Sequence, residues 1–339
     1  MDMKKVLVFS LLALFLSACG KEQISHTIVG STMGTTFSIV IAHTELDQKK
    51  RQALETDINA LLDEINQRMS TYRVDSEISR FNQWKHTDWF VVSQETAKVV
   101  NAALRISELS EGTYDITVSP LVELWGFGKS GNRQSPPTAG AIADAKGKVG
   151  YASIVVRDDL LAIRKTNSKI SINLSSIAKG YAVDAVADFL EEKGLDHFLV
   201  EIGGELKGKG LSPSNRGWRV GIEKPLVGER VVQQIIEVKN NAIATSGNYR
   251  NYFEEDGMRY SHILNAQTGR PITHKVASVT VILPSAMEAD GWATALLILG
   301  QQAGLALARE EQIPAFFVLK TKEGFQAHYT ELFSPFLVN

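Results

Sequence analysis

The chain has one cysteine, Cys19, directly after Leu16-Ser17-Ala18. A 339-residue chain with a lone cysteine has no internal disulfide to staple it, so its fold must rest on a buried apolar core. The residues ahead of Cys19 say where that fold has to survive. Lys4 and Lys5 form a positive n-region, 6–16 an apolar run, and Ser17 and Ala18 a small-residue cleavage position, the form of a secretory signal peptide. The run is too short to cross a bilayer, which takes about 20 apolar residues. Leu-Ser-Ala-Cys has the pattern of a bacterial lipobox, in which the cysteine takes up a lipid (palmitate) and becomes the first mature residue. The alternative is an ordinary cleavage site beside a chance cysteine, the weaker reading for a lone thiol at this position. The expectation is a signal peptide over 1–18, a lipidated Cys19 and tether over 19–26, and one body over 27–339. That body would be held at the bacterial cell membrane and face the periplasm, with the inner membrane preferred to the outer.

Charge narrows the partners. Lys plus Arg is 36 against 38 for Asp plus Glu, a net charge of -2, which supplies no basic field to gather nucleic acid. With 44% hydrophobic residues the chain also has the apolar content to fold.

Periodicity then divides the body into alternating elements. Leu54, Ile58, Leu61, Leu62 and Ile65 recur at helical spacing, so 47–68 reads as an amphipathic helix. A short helix to Phe81, capped by Asp75 or Ser76, and a long one over 93–109 follow, the second stopped by Gly112. Helices are also expected over 138–146, from 173–184 to Lys193, from Pro284 to Leu299 and over 303–311. Strands are expected over 36–41, 153–157, 160–164, 169–173, 197–203, 218–222, 231–238, 242–245, 276–283, 315–320 and 325–329.

Four stretches carry the polar groups that chemistry needs. In 245–272, two runs flank Glu255-Asp256-Gly257, a hairpin turn signal, and the second, 258–264, delivers His262 beside the polar loop 265–271. Alone, this favours an ordinary hairpin with one exposed histidine, and the other motifs must overturn that reading. In 173–184, a strand end turns into a helix, with Ser175 or Ser176 as cap and Lys179 in the first turn, a favourable place for phosphate oxygens, although a capped helix with a surface lysine is the commoner case. Asp290 and Thr294, four residues apart, share a helix face and offer two hard oxygen donors of the kind Mg²⁺ takes, although a capping or solvated face is the default for such a pair alone. Ser31-Thr32-Met33-Gly34-Thr35 is small and flexible enough to let a ligand approach the backbone, and is equally consistent with a plain turn into the next strand. Gly126, Gly128 and Gly131 match G-x-G-x-x-G, but the residues after them read as loop, so the helix a dinucleotide site requires is missing.

Taken in order, these motifs resemble the ApbE family of flavin transferases, over about 30–337. The residues that carry the resemblance are Thr32-Met33-Gly34-Thr35, Ser70-Thr71-Tyr72-Arg73, 112–121 with Leu124-Trp125-Gly126-Phe127-Gly128, Ile177-Ala178-Lys179-Gly180-Tyr181-Ala182, Val200-Glu201-Ile202-Gly203-Gly204, Thr245-Ser246-Gly247 with Tyr249-Arg250-Asn251-Tyr252, Tyr260-Ser261-His262-Ile263 and Glu288-Ala289-Asp290. The resemblance implies an α+β fold, with mixed, mainly antiparallel sheets flanked by helices and a ligand cleft between two packed parts. It implies that FAD is the substrate, contacted by Met33, Tyr72, Thr113, Tyr114, Asp115, Asn173, Lys179 and Ile263. Mg²⁺ would sit on a backbone oxygen of Ser176 and on Asp290 and Thr294, with His262 as general base. The implied reaction moves FMN from FAD to a Ser or Thr hydroxyl of an acceptor flavoprotein and releases AMP, the acceptors being redox-complex subunits of Nqr or Rnf type. FAD pyrophosphatase action, giving FMN and AMP, and non-catalytic FAD binding by a lipoprotein are the alternatives. One position departs from the pattern: the family often has Asp where this chain has Asn173.

Overall fold

The computed structural model describes residues 24–128, 131, 135–226, 231–249, 252–255 and 258–338. The signal segment, Cys19 and the Asp256-Gly257 turn lie outside them. In chain order the strands are β1 (Ser25–Thr32), β2 (Thr35–Ala42), β3 (Phe90–Val91), β4 (Ile154–Arg157), β5 (Ala162–Lys165), β6 (Phe198–Ile202), β7 (Glu205–Lys209), β8 (Trp218–Glu223) and β9 (Val232–Val238). They continue with β10 (Ala242–Gly247), β11 (Tyr252–Glu255), β12 (Met258–Ser261), β13 (Leu264–Asn265), β14 (Arg270–Pro271), β15 (Val276–Leu283), β16 (Ala315–Thr321) and β17 (Gly324–Tyr329). The α-helices are α1 (Gln48–Met69), α2 (Glu77–Gln83), α3 (Gln94–Leu109), α4 (Ser119–Leu124), α5 (Ala139–Lys146), α6 (Ala178–Glu192) and α7 (Ala286–Glu310).

An eight-stranded sheet in the order β1-β2-β6-β7-β10-β15-β16-β17 organises the molecule, and every neighbouring pair in it is antiparallel. Helices α6 and α7 cover one face, with α1 and α3 packed beyond them, and Ile58, Ile106, Val183, Trp292 and Leu296 join Ile39, Val200 and Val279 in the main core. The other face carries the β8–β9 ribbon and the C-terminal turn, through Trp218, Ile222, Ile236, Phe316 and Phe333. A satellite core of Leu121, Trp125, Ile142 and Leu264 joins α4 and α5 to the segment after β12. Covered on both sides, β15 is buried along nearly its whole length, which explains its unbroken apolar run. The architecture is α+β.

Helix starts follow local chemistry: the side chains of Asp47, Ser76, Ser93 and Thr138 each accept from a backbone N–H in the first turn of α1, α2, α3 and α5. The run Ala286–Glu310 is two helices meeting at Gly300, whose φ of 79° breaks the helical backbone, as the separate expectations over 284–299 and 303–311 anticipated.

Several local expectations are corrected. Residues 169–173 are not a strand; the third strand beside β4 and β5 is β3, from 60 or more residues upstream. Neither Ser175 nor Ser176 caps α6, whose N-cap is Ile177 without a side-chain bond. β12 ends at Ser261, and Leu264 belongs to a separate small hairpin with Pro271, so the stretch read as loop over 265–271 carries its own pairing. The proposed tether overlaps β1, which pairs with β2 from Ser25 onward.

Candidate functional site

A cavity of about 1100 Å³ opens at one end of the main sheet, above the turn between β6 and β7. That turn is Gly203-Gly204, with φ of 63° and 104°, a backbone only glycine adopts without strain. A Cβ on Gly203 would lie 2.8 Å from the Thr35 methyl. Because this hairpin is short while β10 runs on to Gly247, the sheet end is notched, and Thr35, Gly203, Gly204 and 245–247 all border the cavity.

Helices α6 and α7 meet below the notch and cap one another. Asp290 of α7 accepts from the Gly180 N–H in the first turn of α6 at 3.0 Å. Asp184 of α6 accepts from the N–H groups of Ala286 and Met287 in the first turn of α7, both at 3.0 Å, and from the Ser285 hydroxyl and Lys207. The helices touch at Gly180, where a Cβ would lie 2.1 Å from the Ala286 carbonyl oxygen. This close crossing puts a buried carboxylate beside the N-terminal N–H groups of another helix, where negative charge is favoured.

Lys179 lies in the same turn, 2.8 Å from Glu205 Oε1 and 3.6 Å from Asp290 Oδ1. One cation therefore faces two buried carboxylates. Burial alone would lower the Lys179 pKa, but Asp290 and Glu205 outweigh it and hold the ammonium above its usual range. Burial pushes Glu205 up to about 8, only partly opposed by Lys179, and its Oε2 is buried with no hydrogen-bond partner. Thr294, one turn beyond Asp290, exchanges a 2.8 Å hydrogen bond with Ser246 of β10.

The opposite wall is the loop before α4. Tyr114 bonds the Ser176 hydroxyl at 3.0 Å, and burial raises its phenol above the usual range. Asp115 accepts from Thr117 N and Oγ1 at 2.7 and 2.6 Å and from Tyr151 N at 2.8 Å. Burial still raises its pKa, against those bonds. Its carboxylate is thus committed to shaping the loop. Asn173 Oδ1 accepts from Ser175 N at 2.9 Å, a turn that Asp would also make, so Asn and Asp differ here only in the second polar atom.

His262 follows β12, whose hairpin is held by packing on both sides. Tyr260 stacks between Trp125 and Phe253, with centroids 5.6 and 5.0 Å away, and Trp125 donates to the Gly269 carbonyl. The Arg259 guanidinium lies 3.5 Å from the Tyr252 ring centroid and donates to the carbonyls of Asn248 and Tyr249, tying the hairpin to the end of β10. Phe127 meets the His262 ring edge-on at 6.4 Å.

Tyr72, Tyr114, Asp115, Asn173, Ser176, Lys179, His262, Ile263, Asp290 and Thr294 all border the one cavity. Met33 and Thr113 do not. Met33 sits at φ 50° in the β1–β2 turn and packs on the main core, while Thr113 is buried and its carbonyl accepts from Ala266 N. Glu205 and Ser246 belong to the site and are not among the site residues expected from sequence, although Ser246 stands in the Thr245-Ser246-Gly247 motif. The alternation of β7 could have grouped Glu205 with Lys207, but nothing in the sequence says which face of that strand meets α6. Among the described residues no three His, Cys, Asp or Glu side chains converge as a metal cluster. The oxygen set of Asp290, Thr294 and Ser176 carries a single charge, which suits a Mg²⁺ ion that draws the rest of its shell from phosphates and water.

The model of the ApbE family matches residues 33–317. An FAD:protein FMN transferase of Vibrio cholerae is 45% identical over 325 residues, covering 96% of both chains. The solved structure of flavin transferase ApbE from Vibrio cholerae superposes with a TM-score of 0.85 at 43% identity, covering 93% of this chain and 100% of the other. The apo form of Pseudomonas stutzeri flavinyl transferase ApbE gives 0.84 at 38% identity, covering 93% and 97%.

Proposed function

The chain belongs to the ApbE family, and from that premise we propose that it is a flavin transferase that takes FMN from FAD and attaches it to a Ser or Thr hydroxyl of an acceptor flavoprotein. The observation that carries the reading is the meeting of Lys179, Asp290, Thr294 and His262 in one cavity. An anionic pyrophosphate needs cationic neighbours, and Lys179 in the first turn of α6 offers one. Mg²⁺, held by Asp290, Thr294 and the Ser176 backbone oxygen, would add positive charge there. His262 accepts the acceptor's hydroxyl proton, a task for which an unperturbed pKa of about 6.5 suits histidine. The hydroxyl oxygen then bonds to the FMN phosphorus while the bond from that phosphorus to the bridging oxygen breaks, and its electron pair leaves with AMP. Lys179 offsets charge on the phosphate oxygens. Tyr72, Asn173 and Ile263 serve the flavin donor, and Nqr- or Rnf-type subunits are the acceptors. The lipobox pattern at Cys19 supports a periplasm-facing enzyme tethered to its membrane.

The test is to incubate the body, from Lys21 onward, with FAD, Mg²⁺ and an Nqr- or Rnf-type subunit, and to read acceptor mass and free AMP together. One FMN gained per AMP released is expected. AMP with free FMN and an unmodified acceptor would make the protein a pyrophosphatase, and tight FAD binding without AMP would make it a binding protein.

A further inference from the structure

Transfer involves two substrates, and the residues assigned to FAD and Mg²⁺ account for only part of the cavity. The two faces of the main sheet can be followed residue by residue at the notch. Glu205 and Lys207 of β7 point to the helices, where they meet Lys179 and Asp184. Leu206 and Gly208 point the other way, to the ribbon, and a Cβ on Gly208 would lie 3.0 Å from the Trp218 ring. On β10, Ser246 reaches Thr294 of α7, whereas Ile243 belongs to the ribbon-side core and Thr245 alternates with Ser246. Residues of both sets border the cavity. It therefore passes over the sheet end and continues on the ribbon face, into a chamber lined by Leu206, Val220, Ile222, Ile243 and Thr245. None of these is among the residues assigned to FAD or Mg²⁺.

We propose that this chamber receives the Ser/Thr-bearing segment of the acceptor protein, lying extended along the outer edge of β8. The inference rests on the transferase reading above. Among the described residues β8 pairs with β9 alone, while β9 is flanked on its far side by Leu337. An edge of this kind can take up an added strand through main-chain hydrogen bonds. Thr245 is exposed although its strand lies inside an eight-stranded sheet, which leaves the notch open beside it. The reaction itself calls for a second approach, because attacking and leaving oxygens lie roughly in line on opposite sides of the phosphorus. A cavity reaching both faces of the sheet lets the acceptor come from one side while AMP departs on the other. The apolar lining of Leu206, Ile222 and Ile243 suits uncharged residues flanking the acceptor hydroxyl and disfavours a pyrophosphate.

The test uses Thr245→Phe, which fills the notch from an exposed position, together with hydrogen exchange on the unsubstituted enzyme. The probes are FAD alone and an Nqr- or Rnf-type subunit whose acceptor Thr is changed to Val. Expected are a rise of about tenfold or more in the KM for the reactive acceptor, an FAD Kd within about twofold of the unsubstituted enzyme, and acceptor-dependent protection over Trp218–Glu223 that FAD alone does not produce. A fall in FAD affinity that matches the loss of transfer would overturn the proposal by giving the chamber to the donor. Unchanged acceptor KM with no protection in β8 would overturn it as well. Absence of both AMP and labelled acceptor with the unsubstituted enzyme would instead remove the transferase reading beneath it.

Discussion

Lys179 shares its charge between Glu205 and Asp290, and the two acids are not paired alike. Asp290 is held by a helix N-terminus through Gly180 N, whereas Glu205 has one buried oxygen without a partner. Burial lifts Glu205 to about 8 from an ordinary 4.5. Its folded pKa lies above its unfolded one, so its contribution to stability is complete below pH 4.5 and is lost as pH rises through about 8. Thermal melts without added Mg²⁺ should therefore show the native protein losing stability across this window relative to Glu205→Gln, which has no proton to lose there. A parallel course for both proteins would exclude Glu205 as the titrating group. For His262→Ala, FMN transfer should fall by about 10²–10⁴-fold while FAD still binds, as expected for loss of a general base. Single-turnover AMP release and flavin fluorescence separate the two effects, and a fully active variant would remove His262 from the mechanism.

The decisive element-scale feature is the reciprocal capping of α6 and α7. A serine before α6 is the local candidate for its cap, yet the acceptor comes from Asp290, 110 residues downstream. The return interaction is Asp184, whose carboxylate takes two backbone N–H groups, a hydroxyl and an ammonium. Asp184→Asn would replace one acceptor oxygen by an NH₂ group among donors, leaving buried N–H groups unpaired. The expected cost is about 1–3 kcal/mol, read as a lower midpoint in urea, with weaker FAD binding because α7 carries Asp290 and Thr294. Normal stability would mean that α6 and α7 are held by apolar packing alone. Boundaries set by local caps, such as Asp47, Ser76, Ser93 and Thr138, were legible in the sequence. Those set by a partner element, such as the start of α6, were not.

At the scale of the whole molecule, the site is assembled from both ends of the chain. Tyr72 and Tyr114 come from early segments, Lys179 and Glu205 from the middle, and His262, Asp290 and Thr294 from late ones. The sheet order explains why, since β2 lies beside β6 while β7 lies beside β10, and β10 beside β15. The proposed anchor belongs to this scale too. Cys19→Ala should move the protein from the membrane fraction to the soluble periplasmic fraction without changing its FMN transfer to a soluble acceptor. Fractionation with a transfer assay checks this, and unchanged membrane retention would rule out the lipid at Cys19.

The sequence by itself determined the amphipathic helices, most of the strands and the motifs that hold Lys179, His262, Asp290 and Thr294, because period, caps and turn residues act within a few positions along the chain. It also carried the family pattern by which those motifs are grouped. Only the tertiary structure decided that Glu205 faces Lys179, that Asp290 caps α6, that the carboxylate of Asp115 ties its loop to Tyr151 and that the cavity reaches the ribbon face. Each of these depends on which face of a strand or helix meets which distant partner. Burial and close approach between remote elements fix that choice, and neither acts over local sequence.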